Sequence, residues 1–291
     1  MDKIISASLA GGDAVVMLAH GPELCERARQ IHGLSPVATA ALGRTLIMSV
    51  MMARSLKNES GSLSATIKGN GPLGGLVTVA YPDGTAKGYV NNPDVELPLN
   101  GRGKLDVGGA IGEGTLTVIK DIGMKKPYVG KVELKSGEIA EDFAWYLALS
   151  EQKPGIVSLG VRVDTDGSVL DAGGVWVQPL PGCKETTLDS LEAIAPLLSN
   201  VSNLFEGHTV EEVLDNEFGF LDAQVLETFV PAFRCDCSRE RIEQVLISMG
   251  EAEIRDILEK QGEAEVTCHF CREAYKFSGP ELEALLASAK S

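Results

Sequence analysis

Aromatic side chains make up only 5% of this 291-residue chain. Positive charge is also in short supply, with 26 Lys and Arg against 41 Asp and Glu, a net charge of −15. The first scarcity leaves few stacking platforms for single-stranded nucleic acid. The second, with an isoelectric point near 4.8, opposes broad adhesion to DNA, RNA or anionic lipid. We therefore expect no nucleic-acid partner and no membrane partner. Long apolar runs are missing as well. The most apolar stretch, Thr45 to Ala53, is bounded by Arg44 and Arg54 and is too short to span a bilayer. Met1-Asp2-Lys3-Ile4-Ile5 has no basic segment leading into an apolar core and a small-residue cleavage site, which argues against a secretory signal. The expected location is the cytoplasm, where structural disulfides are rare. Six Cys in that compartment are read as metal or redox chemistry before disulfide staples.

What is present suffices for a folded protein. Hydrophobic content of 44% and charged content of 23% are ordinary for a globular chain of this length. Composition changes twice along it. Residues 1–179 hold 26 of the 32 Gly and are nearly neutral, with 17 basic and 19 acidic residues. Residues 180–231 carry one Lys against ten acids, and residues 232–291 carry eight basic against twelve acidic residues. The expected fold is α+β: an N-terminal mixed helix and antiparallel-sheet domain over 1–179, an acidic helical linker over 180–231, and a small C-terminal α+β domain over 232–291.

Within the first region, Ala14 to Ala19 is a strand candidate, Gly21-Pro22 opens a helix through Ile31, and Ser35-Pro36 caps a longer one to about Leu56. The period then falls to two. Strands are expected at Ser62–Lys68, Leu76–Tyr81, Thr85–Val90, Thr115–Lys120 and Tyr128–Leu134. They are separated by turn sequences such as Pro82-Asp83-Gly84, and connections this short imply antiparallel pairing. A helix over Glu138–Leu149 and a hairpin around Asp164-Thr165-Asp166-Gly167 complete the region. In the linker, Leu188, Leu191, Ile194, Leu197, Leu198 and Val201 recur at helical spacing, and Val210, Val213 and Leu214 continue the pattern. Four of the eight Phe also lie there. So acidic a segment tends to stay open, yet it carries apolar surface that needs cover. We read it as packed on the first domain at rest, and as conditional in that packing.

The strongest chemical signal is Cys235-Asp236-Cys237 followed, thirty residues on, by Cys268-His269-Phe270-Cys271. Two close pairs around a helical stretch suit a structural zinc site, because each pair can place two sulfurs on one tetrahedral ion. Ile242, Val245, Leu246, Met249, Ile254, Ile257 and Leu258 supply only a small apolar face between them, so the module needs a metal staple. His269 is read as a bystander, and Cys25 and Cys183 as isolated, inert thiols. Thiolates held side by side by a metal also invite redox chemistry: once oxidant converts one to a sulfenic acid, its neighbour can resolve it to a disulfide.

The run Phe233-Arg234-Cys235-Asp236-Cys237-Ser238, Met249-Gly250 and Val266-Thr267-Cys268-His269-Phe270-Cys271-Arg272-Glu273-Ala274-Tyr275 resembles the redox-regulated heat-shock chaperone family, the 33 kDa chaperonins. Gly69-Asn70-Gly71-Pro72-Leu73-Gly74-Gly75, Gly88-Tyr89-Val90 and Gly173 to Gly182 are similar to segments of the same family, so the likeness runs nearly the whole chain. It implies an ATP-independent holdase, not an enzyme, inactive while reduced and loaded with one Zn2+ per chain on Cys235, Cys237, Cys268 and Cys271. It further implies that oxidation forms the disulfides Cys235–Cys237 and Cys268–Cys271, releases zinc, unfolds the C-terminal part and yields a homodimer that binds unfolding client proteins. No role is implied for Cys25 or Cys183.

Two other classes fit less well. A thiol–disulfide oxidoreductase would want an exposed Cys-x-x-Cys at a helix start in a thioredoxin-like setting, whereas Cys268 follows the strand-like Glu265-Val266-Thr267. A zinc-ribbon nucleic-acid module would want a Lys/Arg stripe, and its region is net acidic. Gly69 to Gly75 lacks the Gly-Lys-Ser/Thr ending of a phosphate-binding loop. His20, His32 and His208 are scattered, and no catalytic constellation is apparent.

Overall fold

The first strand, β1 (Lys3–Leu9), alternates only from Ile5 to Leu9, and Ile4 puts an apolar side chain on the opposite face because both faces are covered. Ile4 joins one core and Ile5 another. The computed structural model describes residues 1–288, and the chain divides into two compact units, Met1–Arg234 and the residues from Cys235 onward.

In the first unit, β1 is followed by β2 (Ala14–His20), α1 (Pro22–His32) and α2 (Pro36–Arg54). Pro22 opens α1, and Gly33, at φ 62°, ends it by donating its N–H to Arg29 O. Ser35 Oγ accepts from Ala38 N to start α2. That helix has the length and apolarity to cross a membrane, but its apolar window is 89% buried inside the unit. It is the core helix, apolar on all sides because it is surrounded. Then come β3 (Ser62–Gly69), β4 (Leu76–Ala80), β5 (Thr85–Val90), α3 (Val107–Ile111), β6 (Gly114–Asp121), β7 (Tyr128–Glu133), α4 (Ala140–Leu149), β8 (Ile156–Val163) and β9 (Val169–Pro179).

The acidic region that follows forms α5 (Glu185–Ile194), α6 (Val201–Leu204) and α7 (Val210–Phe218), and then two strands, β10 (Gln224–Phe229) and β11 (Ala232–Phe233). The helical pattern from Leu188 to Val201 is broken at Pro196, where a short 3-10 turn (Leu197–Asn200) intervenes. The strands build two sheets, ordered β10-β1-β2-β9-β8 and β11-β5-β4-β3-β6-β7. All pairings are antiparallel except that of β11 with β5. The fold is mixed α+β.

One core surrounds α2, where Leu42, Leu46 and Met48 meet Leu63 and Ile67 of the second sheet and Phe143 of α4. The other lies on the far face of the first sheet. There Ile5, Leu9, Val16, Leu18, Val175 and Val177 are covered by Leu191, Leu198, Phe205, Val213 and Phe218 from the acidic region. The cover therefore turns its apolar side to the sheet. Part of its charge is tied to the sheet's own residues: Lys3 Nζ lies 2.7 Å from Glu211 Oε1, and Arg162 Nη1 lies 3.1 Å from Glu206 Oε2. Phe205 sits where Gly173 has no side chain, since a Cβ there would come within 2.5 Å of its ring. The ring also stacks on His20 at 5.1 Å, and His20 Nε2 is held 2.9 Å from Asp171 Oδ1.

The second unit consists of α8 (Arg239–Met249), α9 (Glu251–Gln261), the hairpin of β12 (Glu263–Thr267) and β13 (Ala274–Ser278), and α10 (Gly279–Ser288). Gly250 and Gly262, both at positive φ, make the turns out of the two longer helices. Seven buried apolar residues form its core, namely Ile242, Leu246, Ile254, Ala264, Phe277, Leu282 and Leu286.

Candidate metal centre

The four Cys of the two short pairs come from two segments with different local architecture. Cys235 and Cys237 lie in the extended residues ahead of α8. Ser238 caps that helix by accepting from Arg241 N at 3.3 Å. Arg241 reaches back along the chain, donating Nη1 to Asp236 O at 3.0 Å and pairing with the Asp236 carboxylate. Cys268 and Cys271 lie in the turn joining β12 to β13. Cys268 N donates to Glu273 O at 2.9 Å, and Arg272 N donates to Cys268 O at 2.9 Å. Arg272 adopts φ 62°, the left-handed conformation that closes so tight a turn.

The sulfurs of Cys235, Cys237, Cys268 and Cys271 all lie within 4.8 Å of one another. Cys235 Sγ is 3.8 Å from Cys268 Sγ, and Cys237 Sγ is 3.3 Å from Cys271 Sγ. A tetrahedral ion with metal–sulfur bonds of about 2.3 Å spaces its sulfurs roughly 3.8 Å apart, so this donor set fits such an ion. The exposed His269 is not among the clustered atoms. Cys25, on α1, is buried beneath α2, and burial drives its thiol pKa far up. Cys183 is partly buried, its thiol shifted upward by desolvation.

The electrostatics of the cluster call for a cation. Burial pushes Cys235 up to about 11, the neighbouring Cys268 adding to it. Burial and sulfur neighbours raise Cys271 as well. Burial also opposes ionisation of Cys237, but hydrogen bonds from Tyr275 Oη and the adjacent thiols outweigh it and hold Cys237 below the ordinary thiol range. Four sulfurs this close cannot all ionise against one another's charge unless a metal neutralises them.

Tyr275 is the residue that spacing alone does not single out. It stands on β13, paired with Val266, and its Oη lies 3.2 Å from Cys237 Sγ. The two-residue alternation of β13, which buries Phe277 and half-buries Tyr275, is the signal that places it on the sulfur side. Hydrogen bonds to metal-binding sulfur typically tune affinity. Tyr275→Phe should therefore hold metal about tenfold less tightly in competition with a chelator. Unchanged retention would remove Tyr275 from the site.

A sequence model of the Hsp33 protein family matches residues 2–278. The chain belongs to the Hsp33 family. It is 42% identical to the 33 kDa chaperonin of Clostridium beijerinckii over 99% of each chain. It is 44% identical to that of Ruminiclostridium cellulolyticum over 97% of each. Among solved structures, it is similar to the 33 kDa chaperonin of Thermotoga maritima, with a TM-score of 0.89 and 40% identity over 99% of this chain and 98% of that one. These relatives carry the name of chaperonins and not of enzymes. Membership in the Hsp33 family supports a chaperone, and the four-cysteine cluster fits a redox-regulated metal site.

Proposed function

We propose that the chain is a redox-regulated, ATP-independent holdase chaperone rather than an enzyme. In the reduced state Cys235, Cys237, Cys268 and Cys271 hold one zinc ion per chain, and the holdase is inactive. The observation that carries this reading is the meeting of four sulfurs within 4.8 Å in a unit whose core holds seven buried apolar residues among the described ones. When bound, zinc keeps the four sulfurs as thiolates and ties the segment before α8 to the β12–β13 turn.

The chain's own sulfurs carry the switch. A thiolate attacks peroxide to give a sulfenic acid and hydroxide, and the adjoining thiolate then displaces the sulfenic oxygen to close a disulfide. Two such events consume two equivalents of peroxide and leave no thiolate to hold a metal. Sulfur contacts of 3.8 and 3.3 Å run between the two pairs, while family likeness favours closure within them, as Cys235–Cys237 and Cys268–Cys271. Without its tie the second unit unfolds. Only Arg234 separates β11 from Cys235 in the chain, so the acidic cover is the next element to loosen. Its release bares Leu191, Phe205 and Phe218 together with the sheet face of Ile5, Leu9, Val16, Leu18 and Val175. Unfolding clients bind there, and activated chains pair as homodimers. A reducing cytoplasm is the compartment in which such a switch rests in its off state.

Peroxide treatment should consume four thiols per chain and release one zinc, leaving Cys25 and Cys183 unmodified. Thiol counting with a chromogenic chelator and disulfide mapping read this out. Retention of the metal after loss of the thiols would sink the reading.

A further inference from the structure

Among the described residues, the strand β7 is the last of its sheet, with β6 on one side and none on the other. Its outward backbone groups follow from register. Thr115 pairs with Glu133, and the next position continues the ladder with Leu134 N donating to Gly114 O at 2.8 Å. Residues opposite one another in an antiparallel ladder alternate between bonded and non-bonded pairs. Tyr128, Gly130 and Val132 therefore face β6, and Val129, Lys131 and Glu133 turn their N–H and C=O groups to the open edge. One face of the strand is closed: a Cβ on Gly130 would meet Ser150 Oγ at 2.4 Å and Tyr146 at 2.8 Å. The other face is open, with Val129 56% exposed.

The surroundings of this edge select a partner. In a chain of net charge −15, the residues from 120 to 135 hold five Lys against two acids. Of these, Lys125, Lys126, Lys131 and Lys135 are exposed. A groove of about 640 Å³, lined in part by Leu56, Ile122, Met124 and Tyr128, meets a smaller one of about 440 Å³ lined in part by Val132, Trp145 and Leu149. Both reach Ser150. Edge lysines repel a second copy of the same strand, which is how natural sheets avoid pairing with themselves. The same lysines attract a segment of opposite charge.

We propose that the open edge of β7 takes up an extended polypeptide segment of alternating apolar and acidic side chains as an added strand of the second sheet. Backbone hydrogen bonds to Val129, Lys131 and Glu133 give the affinity, and the flanking lysines and apolar grooves give the preference. The site goes beyond the holdase reading, because it owes nothing to the cysteines and is open while they are reduced.

The test is fluorescence anisotropy of a labelled peptide of alternating Glu and Val with the full-length reduced protein and no oxidant, beside a Lys–Val peptide and an oligothymidylate. The Glu–Val peptide should bind, the Lys–Val peptide should not, and added salt should weaken binding. Val129→Pro, which removes one edge donor, should weaken it about fivefold, and Val129→Thr should leave it unchanged. If Val129→Pro fails to fold in a thermal melt, the triple variant Lys125→Glu, Lys126→Glu, Lys131→Glu decides, with a loss of about tenfold expected. Equal binding of both peptides, oligothymidylate binding as tight as the Glu–Val peptide, or self-association that the triple variant leaves unchanged would overturn the proposal. Because no oxidant is present, none of these outcomes bears on the redox switch.

Discussion

A chain carrying Cys268→Ser should lose tight zinc binding and unfold its second unit, while the two sheets and the core around α2 keep their fold. The asymmetry follows from the two cores. Structural zinc contributes on the order of 10 kcal/mol to folding a small module. The second unit has little else, with seven buried apolar residues and ion pairs such as Arg255–Glu251 and Lys260–Asp256 that are exposed and each worth under about 1 kcal/mol. The core of the first unit wraps α2 on all sides and contains none of the four sulfurs. Removing one of four sulfurs leaves an incomplete tetrahedron and half-buried thiols that oppose one another's ionisation. Cys235→Ser should behave alike. Metal-to-protein ratio and amide exchange measure the outcome, and full zinc in the double variant would rule out the four-cysteine site.

The second large effect is expected from the cover. Phe205→Ala combined with Phe218→Ala should free the acidic region from the first sheet and give client binding without any oxidant. Both rings are buried, at 3% and 0% exposure, and such a deletion costs about 3–5 kcal/mol each. What then still holds the cover is a set of smaller buried side chains, among them Leu191, Leu198, Val213 and Leu214, and ion pairs such as Lys3–Glu211 and Arg162–Glu206, which do not make up for the loss of both rings. The core around α2 contains neither ring, so the sheets should persist while α5 to α7 lose exchange protection. Gly173→Ala should act in the same direction but more weakly, since its methyl meets the Phe205 ring and costs about 1–3 kcal/mol of overpacking. A double variant whose cover exchanges freely yet binds no client would show that the cover is not the blocking element.

Much of the fold was legible in the chain because its elements follow one period each. The strands β3, β4, β6 and β7 alternate along half-covered faces, and α1 and α2 carry their Pro starts openly. What escaped reading has identifiable causes. β1 is buried on both faces, and its alternation is short and interrupted by Ile4 beside Ile5. β10 is an exposed edge strand inside a region whose acidity suggests helix or linker, and only its pairing with β1 defines it. The parallel bridge of β11 to β5 joins residues far apart in the chain, which local patterns do not encode. Division of the strands into two sheets depends on which faces α2 and the acidic helices claim, a tertiary choice. At the site, the four sulfurs were legible from spacing alone, since Cys-x-Cys and Cys-x-x-Cys leave few geometries. The Tyr275 hydroxyl against Cys237 was not, because it depends on β13 folding back beside β12.

The most direct measurement is light scattering from a thermally unfolding client mixed with the reduced protein or with protein pretreated with peroxide and mild heat. The account predicts unhindered aggregation with reduced, zinc-loaded protein and strong suppression after oxidation, reversed when thiols and zinc are restored. Equal suppression in both states would contradict it.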